Sequence, residues 1–387
     1  MTLSTLPLGY CTNVHPGLTP REVLDGLRKY TVPVGERLKS FPAAGLWLAQ
    51  PVIEELVGSR DALNDFCREV REMKLSCYTL NAFPYGNFHS DRVKEQVYLP
   101  DWSDPRRLDY TFKCAAVLAE LLGDFDEGSI STVPLGFKQL DRPEGFLDLA
   151  MEQLVELAIQ FEELYESTGK RIRLAIEPEP LCLLETTSET IDFFAKLGEY
   201  AATLGKRELV RESIGVCYDV CHQAVEFEDV DASLRAIDAA GIRLNKIHIT
   251  CAIDLPDPAE NEAGRRRLAE FVEPRYLHQT FARFDDGTIR TVTDLSGELC
   301  LDPPPHFRDA DRWRIHYHVP VNADSLGPLG TTRNELKIAL KTVAALDQTP
   351  HLEVETYTWS VLPGDRQPSL VDGLADELQA TRELLDS

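Results

Sequence analysis

The sequence predicts an α/β fold, a closed parallel (β/α)8 barrel, on two observations. Short apolar segments alternate with amphipathic segments of helical period along the 387 residues, and strands separated by helices favour a parallel sheet with right-handed crossovers. In addition, three apolar segments end in acidic residues or histidine: Arg171–Pro180, Gly215–His222 and Leu352–Trp359. Such side chains at the ends of several strands indicate one shared site at the C-terminal face of a barrel.

The first half of the chain contains five predicted strands and four predicted helices. Strands are expected at Leu8–Asn13, Gly45–Gln50, Ser76–Phe83, Ser129–Leu135 and Arg171–Ile176. Thr19 before Pro20 is typical of a helix N-cap with proline at the first helical position. Helices are expected at Pro20–Lys29, Ser59–Met73, Arg106–Leu122 and Gly145–Ser167. The connection Asn87–Pro105 is too long for an ordinary loop and is expected to cover a site.

The second half continues the alternation and then departs from it. A capping box at Thr186–Glu189 predicts a helix to about Leu204, and further elements are expected at Ile214–Val220, Val230–Ala240, Lys246–Ile253, Thr331–Leu346, Leu352–Thr358 and Asp372–Leu385. Between residues 254 and 324 we expect a helix at Asn261–Phe284, broken at Pro274, a hairpin at Gly287–Thr293 with a turn at Ser296–Gly297, and a strand at Arg314–Val321. This makes nine strand candidates for eight positions. We therefore expect one domain, residues 1–387, whose segment 254–324 is inserted between the seventh and eighth βα units and covers the C-terminal mouth.

Composition narrows the possible functions. A net charge of −24 argues against nucleic-acid binding, which needs a basic face, and suits a small-molecule ligand. The nine cysteines show no paired CxxC spacing and are expected to be buried thiols in a reducing compartment. The N-terminal segment lacks the pattern of a signal peptide, and no run of 18 apolar residues predicts a membrane span. The expected location is the cytoplasm.

The predicted strand ends supply four candidate metal ligands: Glu177, Asp219, His248 and Glu355. Carboxylates and neutral imidazole suit a divalent ion such as Mn, Mg, Co, Fe or Zn, and four ligands leave positions for two substrate oxygens. Glu353 has the same strand parity as Glu355 and competes for one role. Glu355 is preferred because it lies nearer the strand end.

These residues also have structural interpretations. Glu177 could be a solvated strand end, and Asp219 could cap the next helix. A lone histidine in an apolar strand, such as His248, is usually a core residue. Lys246, His248 and Thr250 share the inward face of a barrel, however, and this favours a ligand role for His248. Glu179, beyond Pro178, could contact the ligands or be exposed.

The order of these ligands resembles the xylose isomerase-like barrel superfamily, which includes sugar epimerases, inosose isomerases and dehydratases, and endonuclease IV. The resemblance covers most of the chain and implies a divalent metal held by Glu177, Asp219, His248 and Glu355 or Glu353. More closely, the chain is similar to EboE-type metabolite traffic proteins of bacterial ebo clusters at Tyr10–Gly17, Phe83–His89, Val93–Trp102 and Leu352–Trp359. That resemblance implies a barrel of unsettled activity, with room for contacts to other proteins of its pathway. The oligomeric state stays open.

Further residues are candidates for substrate binding or for a second metal. The resemblance to epimerases implies that His222 could be a substrate hydrogen-bond donor instead of a metal ligand. His316 and His318 share one face of a strand, a known way to present two imidazoles to one metal; endonuclease IV has an Asp-x-His pair in the comparable place, although its spacing differs. The remaining candidates are His15 on the floor of the site, Lys246, and the loop residues His89, Lys94 and Tyr98 as a lid.

The sequence favours a metal-dependent isomerase or epimerase that acts on a polyhydroxylated sugar or cyclitol, of ketose or inosose type, in a secondary-metabolite pathway. Glu177 and Glu355 would flank the reacting carbon as base and acid. A dehydratase could use the same residues. The alternatives are a barrel that binds or channels a metabolite without turnover, and an endonuclease IV-like phosphodiesterase, which the net charge disfavours.

Overall fold

The computed structural model describes residues 6–364 and 367–386. The strands, in chain order, are β1 Gly9–Cys11, β2 Ala43–Trp47, β3 Thr79–Asn81, β4 Glu127–Thr132, β5 Arg171–Ile176, β6 Ile214–Asp219, β7 Leu244–Ile249, β8 Ile253–Pro256, β9 Thr280–Arg283, β10 Ile289–Val292, β11 Arg312–Ile315, β12 Ser325–Leu326, β13 Leu329–Thr331 and β14 His351–Val354.

The helices lie mainly between the strands. They are α1 Pro20–Gly26, α2 Val32–Leu38, α3 Gln50–Gly58, α4 Arg60–Glu72, α5 Pro105–Leu121, α6 Phe146–Thr168, α7 Thr187–Thr203, α8 Arg207–Ser213, α9 Val220–Val225, α10 Val230–Ala239, α11 Glu262–Ala269, α12 Gly297–Leu301, α13 Pro305–Arg308, α14 Arg333–Val343 and α15 Leu370–Leu385. Short 3-10 segments follow β1 (Thr12–Val14), cross the long loop (Lys94–Tyr98) and follow β14 (Tyr357–Val361). The predicted cap at Thr19 and the capping box at Thr186–Glu189 are both present.

Eight parallel strands close into a barrel in the order β1, β2, β3, β4, β5, β6, β7 and β14. The fold class predicted from the sequence is therefore confirmed. The second strand lies two to three residues earlier than predicted, because Pro51 lies in the first turn of α3 and does not follow directly on a strand. In the register, Asp219 and Glu353 both lie opposite His248. Three polar side chains thus meet at one level of the barrel.

The segment after β7 forms a separate antiparallel sheet in the order β10, β9, β11, β8, β13, β12. Because β12 and β13 belong to this sheet, it extends to Thr331, beyond the predicted bound at 324. The predicted helix Asn261–Phe284 is wrong after Ala269, because its last part pairs as β9 with β10 and β11. The predicted turn at Ser296–Gly297 is instead the start of α12, which Ser296 caps. The ninth strand candidate is antiparallel β11.

The barrel and the inserted sheet share a hydrophobic core. One cluster of buried side chains contains Val216 and Ile247 from barrel strands together with Leu255, Trp313 and Ile315 from the inserted sheet. We infer from this shared core that the chain folds as a single domain that includes the insertion. All nine cysteines are buried and unpaired. Among the described residues, no helix is both long and apolar enough to cross a membrane.

Candidate metal centre

The four predicted metal ligands face one another at the C-terminal end of the barrel. Ligand atoms of Glu177, Asp219, His248 and Glu355 all lie within 4.8 Å of one another. Each of these residues is at most 4% exposed. Asp219 also caps α9, since its Oδ1 accepts hydrogen bonds from the His222 amide and the Thr250 hydroxyl. The other oxygen, Oδ2, keeps no hydrogen-bond partner among the described residues, so the capping role leaves it available to a ligand.

The imidazole of His248 lies at the centre of this cluster. Its Nδ1 is 2.9 Å from Glu177 Oε1, 3.1 Å from Glu355 Oε2 and 3.6 Å from Asp219 Oδ2. In the described part of the chain, histidines are the only basic groups that lie within 4.0 Å of these three carboxylates. Buried carboxylates need a compensating positive charge. The donor set and its charge therefore fit a divalent cation.

The contact of the other ring nitrogen of His248, Nε2, determines which nitrogen points at the cluster. Its Nε2 is 3.0 Å from Glu353 Oε2, which is 2.5 Å from the ammonium of buried Lys246. Burial opposes ionisation of Glu353, but the charge of Lys246 and the hydrogen bonds from His248 and Lys246 outweigh it and lower the pKa of Glu353. Glu353 is thus an anion that accepts the Nε2 proton, so Nδ1, which lies at hydrogen-bond distance from Glu177, is the nitrogen that would bind a metal ion in the cluster. This geometry favours Glu355, over Glu353, as the ligand.

The carboxyl groups of the cluster differ in proton affinity. Burial raises the pKa of Glu177 to about 7, although His248 opposes the shift. Burial also acts on Glu355, but there the charge and hydrogen bond of His248 prevail and lower the pKa to about 2. The carboxylate of Glu355 further accepts hydrogen bonds from Asn13 and Asn81, at 2.7 and 2.8 Å. For Asp219, neighbouring histidines outweigh burial and hold the pKa below its usual value.

Three histidines form a second group beside the cluster, each oriented by a hydrogen bond at Nδ1. The acceptors are Pro178 O for His222, Gln279 Oε1 for His316 and Glu355 O for His318, at 3.0, 2.8 and 2.8 Å. Burial lowers the pKa of His222 to about 4 and that of His316 well below its usual value, so both rings are neutral at pH 7. With Nδ1 donating, Nε2 of His222 and Nε2 of His316 each carry a lone pair. Nε2 of His316 and of His318 are buried without a partner among the described residues.

Glu179 joins this second group and is not exposed, because the backbone after β5 turns its side chain inward. It accepts a hydrogen bond from Tyr98 at 2.7 Å and is 5% exposed. Its carboxyl also lies 3.6 Å from His316 Nδ1. Burial, followed by the charges of Glu177 and Asp219, raises the pKa of Glu179 well above its usual value, despite the hydrogen bond from Tyr98.

Both groups open into one cavity with about 510 Å³ of empty space, part of it continuous with solvent. Polar lining residues come from strand ends and from the segment after β11, and they include His222, His316 and His318. The long loop after β3 contributes Lys94 and Tyr98, which the sequence analysis considered as lid residues. Asn13, Asn81, Gln279 and Tyr357 also belong to the site and were not predicted from the sequence. Asn13 and Asn81 lie at strand ends and could have been found by the reasoning applied to the acidic residues.

Three predicted site residues lie elsewhere. Lys246 is two residues before His248 on β7, so it lies one layer deeper in the barrel and pairs with Glu353. The 3-10 turn after β1 carries His15 away from the cavity, to the Tyr10 hydroxyl at 3.2 Å and the ring of Tyr30. His89 binds the carbonyl of Asn13 at 2.8 Å and lines a different surface pocket. None of the three lines the cavity of the described structure.

Comparison with solved structures places the fold. No family model matches the sequence, and no curated protein matches it significantly. The chain is similar to L-ribulose 3-epimerase, with a TM-score of 0.52 and 12% identity over 98% of this chain and 94% of that chain. It is also similar to a D-tagatose 3-epimerase-like protein (TM-score 0.50, 11% identity, 98% and 97% coverage) and to an IolI protein with a bound zinc atom (0.50, 12%, 98% and 98%). These similarities establish the TIM-barrel fold.

Proposed function

We propose that this protein is a divalent-metal-dependent isomerase or epimerase of a sugar or cyclitol. The observation that carries the proposal is the convergence of three buried carboxylates on His248 Nδ1, where only histidines among the described basic groups lie within 4.0 Å to offset their charge. Glu177, Asp219, His248 and Glu355 would hold the ion. The similarity to sugar epimerases, and to a zinc-containing barrel, supports both the ion and the substrate class.

The bound ion would polarise adjacent carbonyl and hydroxyl oxygens of the substrate. The protein itself would bind the ring and move the proton. Glu177 and Glu355 both line the cavity, and an oxygen of Glu177 is buried without a hydrogen-bond partner among the described residues. We assign proton abstraction and return to this pair, one on each side of the reacting carbon. Asn13 and Asn81 position the carboxylate of Glu355.

His222, His316 and His318 would bind substrate hydroxyl groups or a second metal ion. Either role suits lone pairs that point into the cavity, because an imidazole nitrogen of this kind accepts a hydrogen bond or ligates a metal. The two assignments differ in the number of metal ions that each protein chain would bind. One equivalent of tightly bound metal supports substrate binding, and two equivalents support a second site that is lost in His316→Ala.

The further assignment to an EboE-type protein of a secondary-metabolite pathway rests on the sequence stretches that resemble that family. All four border the site. Cavity residues come from Tyr10–Gly17 (Asn13), Phe83–His89 (Phe83 and Phe88), Val93–Trp102 (Lys94 and Tyr98) and Leu352–Trp359 (Glu355 and Tyr357). In such a pathway the substrate would be a ketose or an inosose, and contacts with other proteins of the pathway would fit the family label. The buried unpaired cysteines support a reducing compartment such as the cytoplasm.

The test is metal analysis of the purified protein followed by proton exchange. Candidate ketoses and inososes are incubated in D₂O with the metal-loaded protein, and exchange of the proton beside the carbonyl is followed by NMR. We expect exchange that is lost in Glu177→Gln and retained in Glu127→Gln, whose exposed carboxylate pairs with Arg173 at the other end of the barrel. Bound metal and ligand without exchange would support a metabolite-binding barrel instead. A protein that binds no divalent metal would contradict the proposal.

A further inference from the structure

The lining of the cavity divides into two parts of different chain origin. The ligand cluster and the three histidines form the polar part. The other part is supplied by the loop after β3 and by the insertion, and its apolar members are Phe83, Phe88, Val93, Val97 and Leu277. All of these except Val97 are less than 10% exposed. An enclosed apolar wall beside a metal cluster is more than a polyhydroxylated ring requires.

The loop and the insertion are joined into one cover. The amides of Val93 and Lys94 both donate to Arg275 O, at 2.8 and 2.9 Å. The ammonium of Lys94 donates to Tyr276 O and Asp294 Oδ2, at 2.6 Å each. Lys94 adopts a positive φ of 41°, which is strained for a lysine and persists because these contacts fix it. The apolar wall is therefore held in place by defined contacts between the loop and the insertion.

Polar groups beside the wall are already engaged within the protein. The Tyr98 hydroxyl donates to Glu179 at 2.7 Å and the Tyr276 hydroxyl to Phe88 O at 3.3 Å. The Lys94 ammonium is held by the insertion, as described above. A ligand hydroxyl group placed against this wall would lose its hydrogen bonds to water and meet no uncommitted donor among these three groups. The wall thus selects against a polyol at this position.

We propose that the substrate carries an apolar or aromatic substituent on its polyhydroxylated ring, and that this substituent binds against Phe88, Val97 and Leu277. The inference rests on the proposed function, because the metal cluster fixes where the ring lies. It adds that free sugars are poor ligands. The loop and the insertion, which form the cover, would determine this specificity. The ring of Tyr357 lies 5.4 Å from that of Phe88 and 4.7 Å from that of His318, so it marks the border between the polar and the apolar part of the lining.

Hydroxamates test this division, because their two oxygens chelate a divalent ion while the tail is varied freely. Acetohydroxamate, hexanohydroxamate, benzohydroxamate and trihydroxybutanohydroxamate are titrated into the Mn-loaded protein by calorimetry. Each buried methylene adds about fourfold in affinity, so hexanohydroxamate is expected to bind at least about tenfold more tightly than acetohydroxamate. Benzohydroxamate should also bind more tightly, and the trihydroxy compound should gain nothing.

A matched pair of variants shows that the preference arises at this wall. Val97→Thr keeps the side-chain shape but places a hydroxyl group against the tail, and the ratio of hexano- to acetohydroxamate affinity should fall about fivefold. Val57→Thr makes the same change on the outer surface of α3, where Val57 is 37% exposed, and should leave the ratio unchanged.

The outcomes separate this inference from the proposed function. Binding of the trihydroxy compound as tight as that of hexanohydroxamate, or an unchanged affinity ratio in Val97→Thr, would overturn the inference while the metal site stands. A tail preference in a protein that exchanges no substrate proton would support the inference and count against an isomerase. Failure of every hydroxamate to bind the metal-loaded protein would overturn both.

Discussion

Glu353→Gln should weaken metal binding although Glu353 is not one of the proposed ligands. The Glu353 carboxylate accepts the Nε2 proton of His248 at 3.0 Å, and Lys246 keeps it ionised. A neutral glutamine amide can present either its oxygen or its NH₂ group to Nε2. With NH₂ facing the ring, the proton of His248 moves to Nδ1, the nitrogen that points into the ligand cluster. Glu353 is therefore a positioning residue.

The expected loss is 10- to 100-fold in metal affinity, the usual range for a residue that orients a metal-binding histidine, or about 1.4–2.7 kcal/mol. A second effect acts on folding. The variant leaves the ammonium of fully buried Lys246 without its partner, and an unpaired buried charge costs about 3–5 kcal/mol. The double variant Lys246→Met, Glu353→Gln removes both charges and should recover most of that stability while metal affinity stays low.

The assay is competition of Zn and Mn against a chelating dye, with chemical denaturation of the metal-free proteins in parallel. Glu127→Gln serves as the control, since it removes a half-exposed strand carboxylate that pairs with Arg173 far from the cluster. It should leave metal affinity unchanged. If the folded double variant binds metal as tightly as the wild type, Glu353 does not orient His248 and the tautomer argument fails.

Three further predictions concern other parts of the molecule. A Cβ at Gly45 would overlap the buried carboxylate of Glu353, so Gly45→Ala should reproduce the metal defect of Glu353→Gln in the dye assay, whereas Gly58→Ala, with open space around it, should not. Burial raises the pKa of Glu377 from 4.5 to about 7, despite hydrogen bonds from Thr356, Trp359 and Val321; the folded state thus binds this proton more tightly, and stability should fall as pH rises through that interval. The free energy of unfolding of the metal-saturated protein, measured between pH 4.5 and about pH 7, should fall less with rising pH in Glu377→Gln than in the wild type. An equal pH dependence in the two proteins would refute this prediction. Finally, the protein should not bind DNA, because the densest basic run, Arg265–Arg267, is engaged by Pro258 O, Glu262 and Glu270; micromolar, salt-sensitive binding of intact or abasic duplexes in a band-shift assay would contradict this.

Local sequence signals were sufficient for most of the barrel. The strand Arg171–Ile176 has the predicted bounds, because its apolar alternation ends at a glutamate–proline step that no ladder can continue. The insertion was predicted poorly, since β9 is specified by antiparallel pairing with β10 and β11 rather than by its own period. Within the insertion, the helix that starts after Asn261 was predicted correctly as far as Ala269. The helix α12 could also have been predicted, because Ser296 accepts from the Leu299 amide and is an ordinary N-cap.

The candidate ligands were found because charged residues at strand ends stand out in an apolar sequence. Uncharged partners of the same site, such as Asn13 and Asn81, do not stand out, although they also lie at strand ends. Gln279 could not be found at all, because its place depends on how the insertion folds back. The choice between Glu353 and Glu355 needed the register, since both face inward and only their level relative to His248 separates their roles.

The two histidines of the insertion reach the site through pairing and chain continuity. β8 begins only four residues after β7 ends, so the inserted sheet starts at the rim of the barrel. β11 returns along β8, with Ile315 opposite Ile253, and therefore ends beside that rim. The next residues alternate as in a strand: His316 and His318 face the cavity, while the Tyr317 ring between them packs on Phe271 within the insertion. A shift of one residue in the β8–β11 register would turn both imidazoles away from the cavity. The position of His316 and His318 at the site therefore depends on that register.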